Sequence, residues 1–172
     1  MTSQPRQSVL FVCLGNICRS PLAEGVFRHV LQTRGAAGGF LIDSAGTGGW
    51  HIGSPPDPRS IAIAAGHGID LSAQRARKVT DGDFARFDLV LAMDRANRTE
   101  LKARATTDRH DRIHLLMDFA LGEARDVPDP YYDGADGFET VYRMIRTASE
   151  ALAEKLAAPW DEPDRGQASS TR

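Results

Sequence analysis

Cysteine is nearly absent. The 172 residues contain two, Cys13 and Cys18, both in one short stretch. That excludes a disulfide framework and suits a reducing compartment. No zinc-type pair of cysteines exists outside that stretch, and the five histidines, at positions 29, 51, 67, 110 and 114, are scattered. Neither a metal site nor a cofactor is therefore expected. An excess of charge is missing too: 21 Lys and Arg stand against 23 Asp and Glu, a net charge of -2. Such a chain has no global field to gather nucleic acid or an anionic membrane, so any affinity for phosphate must be local. No apolar run approaches the roughly 18 residues of a membrane helix. Met1 to Gln7 is polar and carries no apolar signal core, so the expected location is the cytoplasm. Repeats and low-complexity blocks are also lacking.

What is present is one stretch around which the chain is organised, Cys13-Leu14-Gly15-Asn16-Ile17-Cys18-Arg19-Ser20-Pro21. The apolar run Ser8 to Val12 before it reads as a buried strand. Ser20-Pro21 reads as a helix start, with Ser as N-cap and Pro at the first helical position. A short loop between a strand and a helix offers converging backbone N–H groups and the positive end of a helix dipole, a site for a doubly charged oxyanion. Amide dipoles and a guanidinium favour the thiolate form of a cysteine placed there, which is a nucleophile. Arg19 supplies a planar fork of donors for two phosphoryl oxygens. Gly15 permits the tight turn, Asn16 tolerates left-handed dihedrals, and Ser20 can donate its hydroxyl to the sulfur. An isolated Cys followed six positions later by Arg is more often a core cysteine and a surface cation; the full stretch reverses that balance.

The rest of the chain alternates strands and helices. A first helix runs from the loop to Gly35–Gly39, and a strand follows at Phe40 to Ala45. The glycine-rich Gly46 to His51 lacks the Gly-x-Gly-x-x-Gly spacing of a dinucleotide fingerprint. Asp57-Pro58 opens a second helix that closes at Gly66-His67-Gly68. Thr80 to Asp83 forms a capping box, with Asp in place of Glu, before a strand over Phe87 to Met93. Asp94 caps a helix to Ala105, and Arg112 to Met117 reads as a fourth strand. Gly122 to Gly134 is a loop with several acids. Asp136 to Glu139 reads as the capping box of a last helix whose stripe is Phe138, Val141, Ile145, Ala148, Leu152 and Leu156. The pattern predicts an α/β three-layer sandwich, a parallel sheet with helices on both faces and its ligand at the carboxyl ends of the strands. One domain is expected over 8–158, with a flexible N-terminus at 1–7 and a disordered tail at 159–172.

A phosphoryl group passed to a thiolate leaves behind an oxygen that must be protonated, so a general acid near the loop is expected. Asp126, Asp129 and Asp133 are the candidates by position, and composition does not choose among them. Trp50, Tyr131 and Tyr132 come from two loops on the same predicted edge as Cys13, where aromatic walls would form a slot for a phenyl ring.

The nine-residue stretch resembles the phosphate-binding loop of the low-molecular-weight protein tyrosine phosphatases, and the similarity runs from about Ser8 to about Leu156. The resemblance implies a four-stranded sheet in the order 2-1-3-4. It implies a phosphate-binding loop over Leu14, Gly15, Asn16, Ile17, Cys18, Arg19 and Ser20. Cys13 would be the nucleophile, Arg19 would stabilise the phosphoryl group, and Asp129, in Asp129-Pro130-Tyr131-Tyr132, would be the proton donor and later the base. Hydrolysis would pass through a cysteinyl-phosphate without metal. Trp50 and Tyr131 would be walls, Leu14 and Ile17 the mouth, and Cys18 a redox partner trapping oxidised Cys13 as a disulfide. Partners would be phosphotyrosine-containing proteins, met by a monomer or weak dimer. Family members acting on phosphoarginine carry Thr where this chain has Ile17. An arsenate reductase would need further cysteines after Cys18, and a non-catalytic phosphate receptor would have no use for the acid. One departure stands out: a supporting His of the family is matched here by Gln74.

Overall fold

In the computed structural model, which describes residues 7–157, the apolar run after the polar N-terminus forms β1 (Gln7–Cys13) at the centre of a four-stranded sheet. β2 (Phe40–Gly46) and β3 (Leu89–Ala92) pair with it in parallel on either side, and β4 (Ile113–Leu115) pairs in parallel with β3. The order is β2-β1-β3-β4. Residues buried on both sides explain why β1 reads as continuous apolar sequence rather than alternation. Val9, Phe11 and Cys13 join one core layer, and Leu10 and Val12 join the other.

Helices cover both faces. α1 (Arg19–Thr33), α2 (Pro58–Gly66), α5 (Leu116–Leu121) and α6 (Ala135–Leu156) supply the layer around Phe11. α3 (Asp81–Arg86) and α4 (Arg95–Arg104) lie on the opposite side, through Phe84 and Leu101. The stripe of α6 is buried at Phe138, Val141, Ile145, Ala148 and Leu152, as its spacing predicts. Thr80 opens α3 with the expected capping box, its N–H donating to Asp83 Oδ2 at 2.8 Å.

Three boundaries differ from the sequence reading. α1 begins at Arg19, with Cys18 at the N-cap and no side-chain cap, so Ser20 and Pro21 lie inside the first turn. Pro costs nothing there, because the first-turn N–H groups have no helical partner. β4 stops at Leu115, opposite Ala92, the last residue of its only neighbour. A strand needs a partner, and beyond that point the apolar Leu116 and Met117 turn into α5 instead. α6 starts two residues before Asp136's expected capping position allows, with Gly134 at its N-cap and no side-chain cap. The expected disordered tail at 159–172 and most of the flexible N-terminus at 1–7 lie outside the described residues, while Gln7 opens β1. Among the described residues no helix is long and apolar enough to cross a membrane.

Candidate active site

At the carboxyl end of β1 the chain leaves the sheet and wraps into residues 13–19, held to its neighbour by Thr47 N–H donating to Cys13 O and Gly48 N–H to Leu14 O, both at 2.9 Å. Among the described residues Asn16 is the one non-glycine residue with positive φ, at 55°, a conformation Asn adopts more readily than most. Its side chain explains why that backbone persists. Nδ2 donates to Ser20 Oγ at 2.8 Å and Ser44 Oγ at 3.0 Å, and Oδ1 accepts from the Arg77 N–H at 3.0 Å. Asn16 therefore braces the loop from behind and does not line the cavity.

Cys13 is buried, with Sγ 3.0 Å from Ser20 Oγ. The serine oxygen already accepts from Asn16, so its proton serves the nearer sulfur or Ala45 O at 3.4 Å. α1 has no side chain capping its N-terminus, so its first N–H groups remain available to an anion in the loop. Arg19 is 2% exposed. Its Nη1 donates to Asp94 Oδ2 at 2.6 Å and Val127 O at 3.0 Å, and its Nη2 lies 3.6 Å from Asp129 Oδ2. Burial opposes the charge, but Cys13, Asp94 and Asp129 outweigh it and hold the guanidinium's pKa above its ordinary value. Cys18 is different in kind: burial, then Asp57 and Cys13, push its thiol up to about 12. It is protonated at neutral pH and does not compete as a nucleophile.

The loop floors a cavity of about 250 Å³ to which Asp129, Trp50, Tyr131 and Tyr132 contribute. Of the three candidate acids, only Asp129 lines it. Asp126 instead accepts from the Arg95 N–H at 3.0 Å, at the start of α4, and Asp133 packs beside Gly137. Asp129 is held by its own turn, with Oδ1 accepting from Tyr131 N–H at 3.1 Å. Trp50 is 73% exposed and lies back over Gly48, where any Cβ would overlap its ring. Leu14 and Ile17 line the cavity, and Ser20, bonded to the sulfur, does not. Gln74 does not reach the loop: its Nε2 donates to Pro21 O at 3.0 Å, and its Oε1 has no partner.

Several contributors escaped the sequence reading. His51 lines the cavity and lies against Gly15, whose Cβ would come within 3.1 Å of the ring. Asp94 reads in sequence only as the cap of α4, a role it fills through Oδ1 to the Asn97 N–H at 2.8 Å, yet its other oxygen takes Arg19. A carboxylate placed just after a strand on the same edge as the loop was the available signal.

The family model of low molecular weight phosphotyrosine protein phosphatase matches residues 8–161. The chain is similar to the low molecular weight protein-tyrosine-phosphatase YfkJ of Bacillus subtilis, 44% identical over 87% of this chain and 95% of that protein. It is also similar to the low molecular weight phosphotyrosine protein phosphatase of Sus scrofa, 39% identical over 91% of this chain and 99% of that protein. In structure it matches a protein tyrosine phosphatase from Entamoeba histolytica with TM-score 0.83 and 38% identity, over 88% of this chain and 97% of the other.

Proposed function

The chain belongs to the low molecular weight phosphotyrosine protein phosphatase family, and from that premise we propose that Cys13, Arg19 and Asp129 divide between them a metal-independent, two-step hydrolysis of phosphotyrosine in proteins. The observation that carries this division is that a buried thiol, a buried guanidinium and a loop carboxylate converge on one cavity.

In the first step Cys13 Sγ attacks phosphorus in line. The S–P bond forms, the P–O bond to the tyrosine ring breaks, and Asp129 gives its proton to the departing phenolate oxygen. Arg19 Nη2, facing Asp129 in the free site, turns its donors to the equatorial oxygens, and the loop N–H groups take the rest of the charge. In the second step water attacks phosphorus and gives its proton to Asp129. The P–S bond breaks and inorganic phosphate leaves. Ser20 stabilises the sulfur as leaving group. The aromatic walls Trp50, Tyr131 and Tyr132 accept a phenyl ring, and the depth of the floor disfavours the shorter phosphoserine.

Hydrolysis of 4-nitrophenyl phosphate and a phosphotyrosine peptide in EDTA tests this reading. Cys13→Ser abolishes turnover, and Asp129→Ala lowers it on the peptide by about 100- to 10,000-fold. Full activity in Asp129→Ala moves the acid to Asp126 or Asp133. No activity in reduced wild type returns the fold to a phosphate receptor.

Cys18 belongs to the same proposal as redox partner of Cys13. Its raised pKa makes Cys18 a slow attacker on oxidised Cys13, so the pair closes only as fast as the small thiolate fraction allows. Mass spectrometry after mild peroxide should find a Cys13–Cys18 bond; sulfonic Cys13 without it removes the role. Two free thiols at the site fit the reducing cytoplasm. The chain works on phosphoproteins as a monomer or weak dimer, to be checked by sedimentation across concentrations.

A further inference from the structure

We propose that Arg59, in the first turn of α2, is a positioning residue that latches the acid loop and so sets where the carboxyl of Asp129 stands relative to Cys13. The inference rests on the assignment of Asp129 as proton donor. Arg59 does not line the cavity, so it acts through another group.

The loop that carries Asp129 is long and largely exposed, running from the end of α5 to the start of α6. Its upstream arm is pinned to the sheet. Val127 donates its N–H to Met93 O at 2.8 Å and accepts from Arg19 at 3.0 Å. The downstream arm has no sheet to hold it, and there Arg59 takes over. Its Nη1 donates to Tyr131 O at 3.0 Å and Asp133 O at 3.4 Å. Its plane lies 4.4 Å from the centre of the Phe138 ring in α6 and 5.5 Å from that of Tyr131. The guanidinium is itself aimed by Asp57, whose two oxygens accept from Nε at 3.0 Å and Nη2 at 2.9 Å. Asp57 in turn donates its N–H to Ile17 O at 2.8 Å.

The chain of contacts is short and directional. It begins in the phosphate-binding loop at Ile17, passes through Asp57 and Arg59, and ends on the carbonyl of Tyr131. The N–H of that same residue holds Asp129 Oδ1 at 3.1 Å. Tyr131 is thus gripped on both sides, by Arg59 at its carbonyl and by the acid at its amide. A shift of its backbone moves the carboxyl directly. The donor and the nucleophile are registered to each other through one arginine fork. Lysine lacks the planar fork to hold a bidentate carboxylate and two carbonyls at once.

A group that only places a general acid should matter in proportion to how much the leaving group needs a proton. Phenyl phosphate and 4-nitrophenyl phosphate are alike in size, but phenolate is far more basic than nitrophenolate and depends on the acid. Arg59→Ala and Arg59→Lys are each expected to lower kcat/KM on phenyl phosphate by about tenfold, a part of the full general-acid contribution, and on 4-nitrophenyl phosphate by less than about threefold. In an Asp129→Ala background the same changes should add almost nothing, because the group they position is gone. The inhibition constant of inorganic phosphate should stay within about twofold of wild type, showing that the variants are folded with the loop intact. Equal losses on both substrates, or losses that persist in Asp129→Ala, overturn the latch and leave Arg59 a structural side chain. Should Asp129→Ala alone slow both substrates equally, the acid assignment falls and takes the latch with it.

Discussion

At the scale of single residues the decisive contact is the ion pair of Arg19 with Asp94. A guanidinium 2% exposed cannot recover its hydration, so its partners determine whether it is tolerated. Asp94 does two things at once, accepting from Arg19 at 2.6 Å and from the Asn97 N–H at 2.8 Å. Two substitutions separate them. Asp94→Asn keeps a capping oxygen and removes the charge, which is expected to cost about 2 kcal/mol. Asp94→Ala removes the cap as well and leaves the buried cation only Val127 O and the more distant Asp129, for about 3–5 kcal/mol. Urea unfolding of both variants measures the difference, and equal midpoints would show that the cap contributes nothing. Inorganic phosphate, which gives Arg19 a new counter-charge, should narrow the gap between each variant and wild type.

At the scale of elements the sequence is most legible where its signals are local. The parallel alternation, the α6 stripe, the capping box at Thr80 and the loop after β1 all follow from spacing and from turn chemistry. The order of the strands does not, since it depends on which crossovers the helices make, and only the resemblance supplied it. Two of the misplaced boundaries share one cause: a nonlocal partner overrides a local preference. Ser20 would be a good N-cap, but its hydroxyl is taken by Cys13 and Asn16, so α1 starts two residues earlier and keeps its N–H groups bare. Leu116 and Met117 would extend β4, but β3 has ended. At the site, Cys13 and Arg19 were readable from residue types and spacing, whereas Asp129 was one of three acids that only the resemblance chose among, and it is the one of them lining the cavity. Arg59 and His51 were not readable, because each acts from a distant element, and Asp94 left only the signal of a carboxylate just after a strand on the loop's edge. α5 ends in a way that can be tested. Gly122 holds φ at 69° with nothing near its missing Cβ, so Gly122→Ala meets no clash. It should lose only the price of a left-handed alanine, about 1 kcal/mol, read from thermal unfolding. A neutral result would mean that α5 ends without this turn.

At the scale of the whole molecule the phosphate-binding loop is tied to the rest of the fold by a network that responds to acid. Arg77 gives its backbone N–H to Asn16 behind the loop, while its side chain donates to Asp83 at 2.9 and 3.0 Å and to Asp43 at 3.1 Å. Burial raises the pKa of Asp83, but the bonds from Arg77 and Thr80 outweigh it, so the carboxyl titrates below its ordinary 3.8. A carboxyl lowered on folding contributes stability that is present above the unfolded value and lost as pH falls through the folded one. Asp57, lowered first by its bond to Arg59, contributes with the same sign. Glu24 has the opposite sign: burial raises it above 4.5 despite its bonds to Ser44 and Arg28, so its burden on folding is relieved as it takes up a proton. The two signs act in different windows. On acidification stability should hold or rise slightly as Glu24 protonates, and then fall below about pH 3.8, where Asp83 and Asp57 lose their charge. Urea midpoints followed from neutral pH to pH 3 trace this shape. Asp83→Asn lowers the neutral plateau and flattens the final descent, because its share of the proton uptake is gone. An equally steep descent in Asp83→Asn would place acid sensitivity elsewhere than in the Arg77 network. A flattened descent would mean that the brace behind Asn16 and the stability of the fold share one carboxylate. Binding of inorganic phosphate would then weaken over the same pH range in which the fold does.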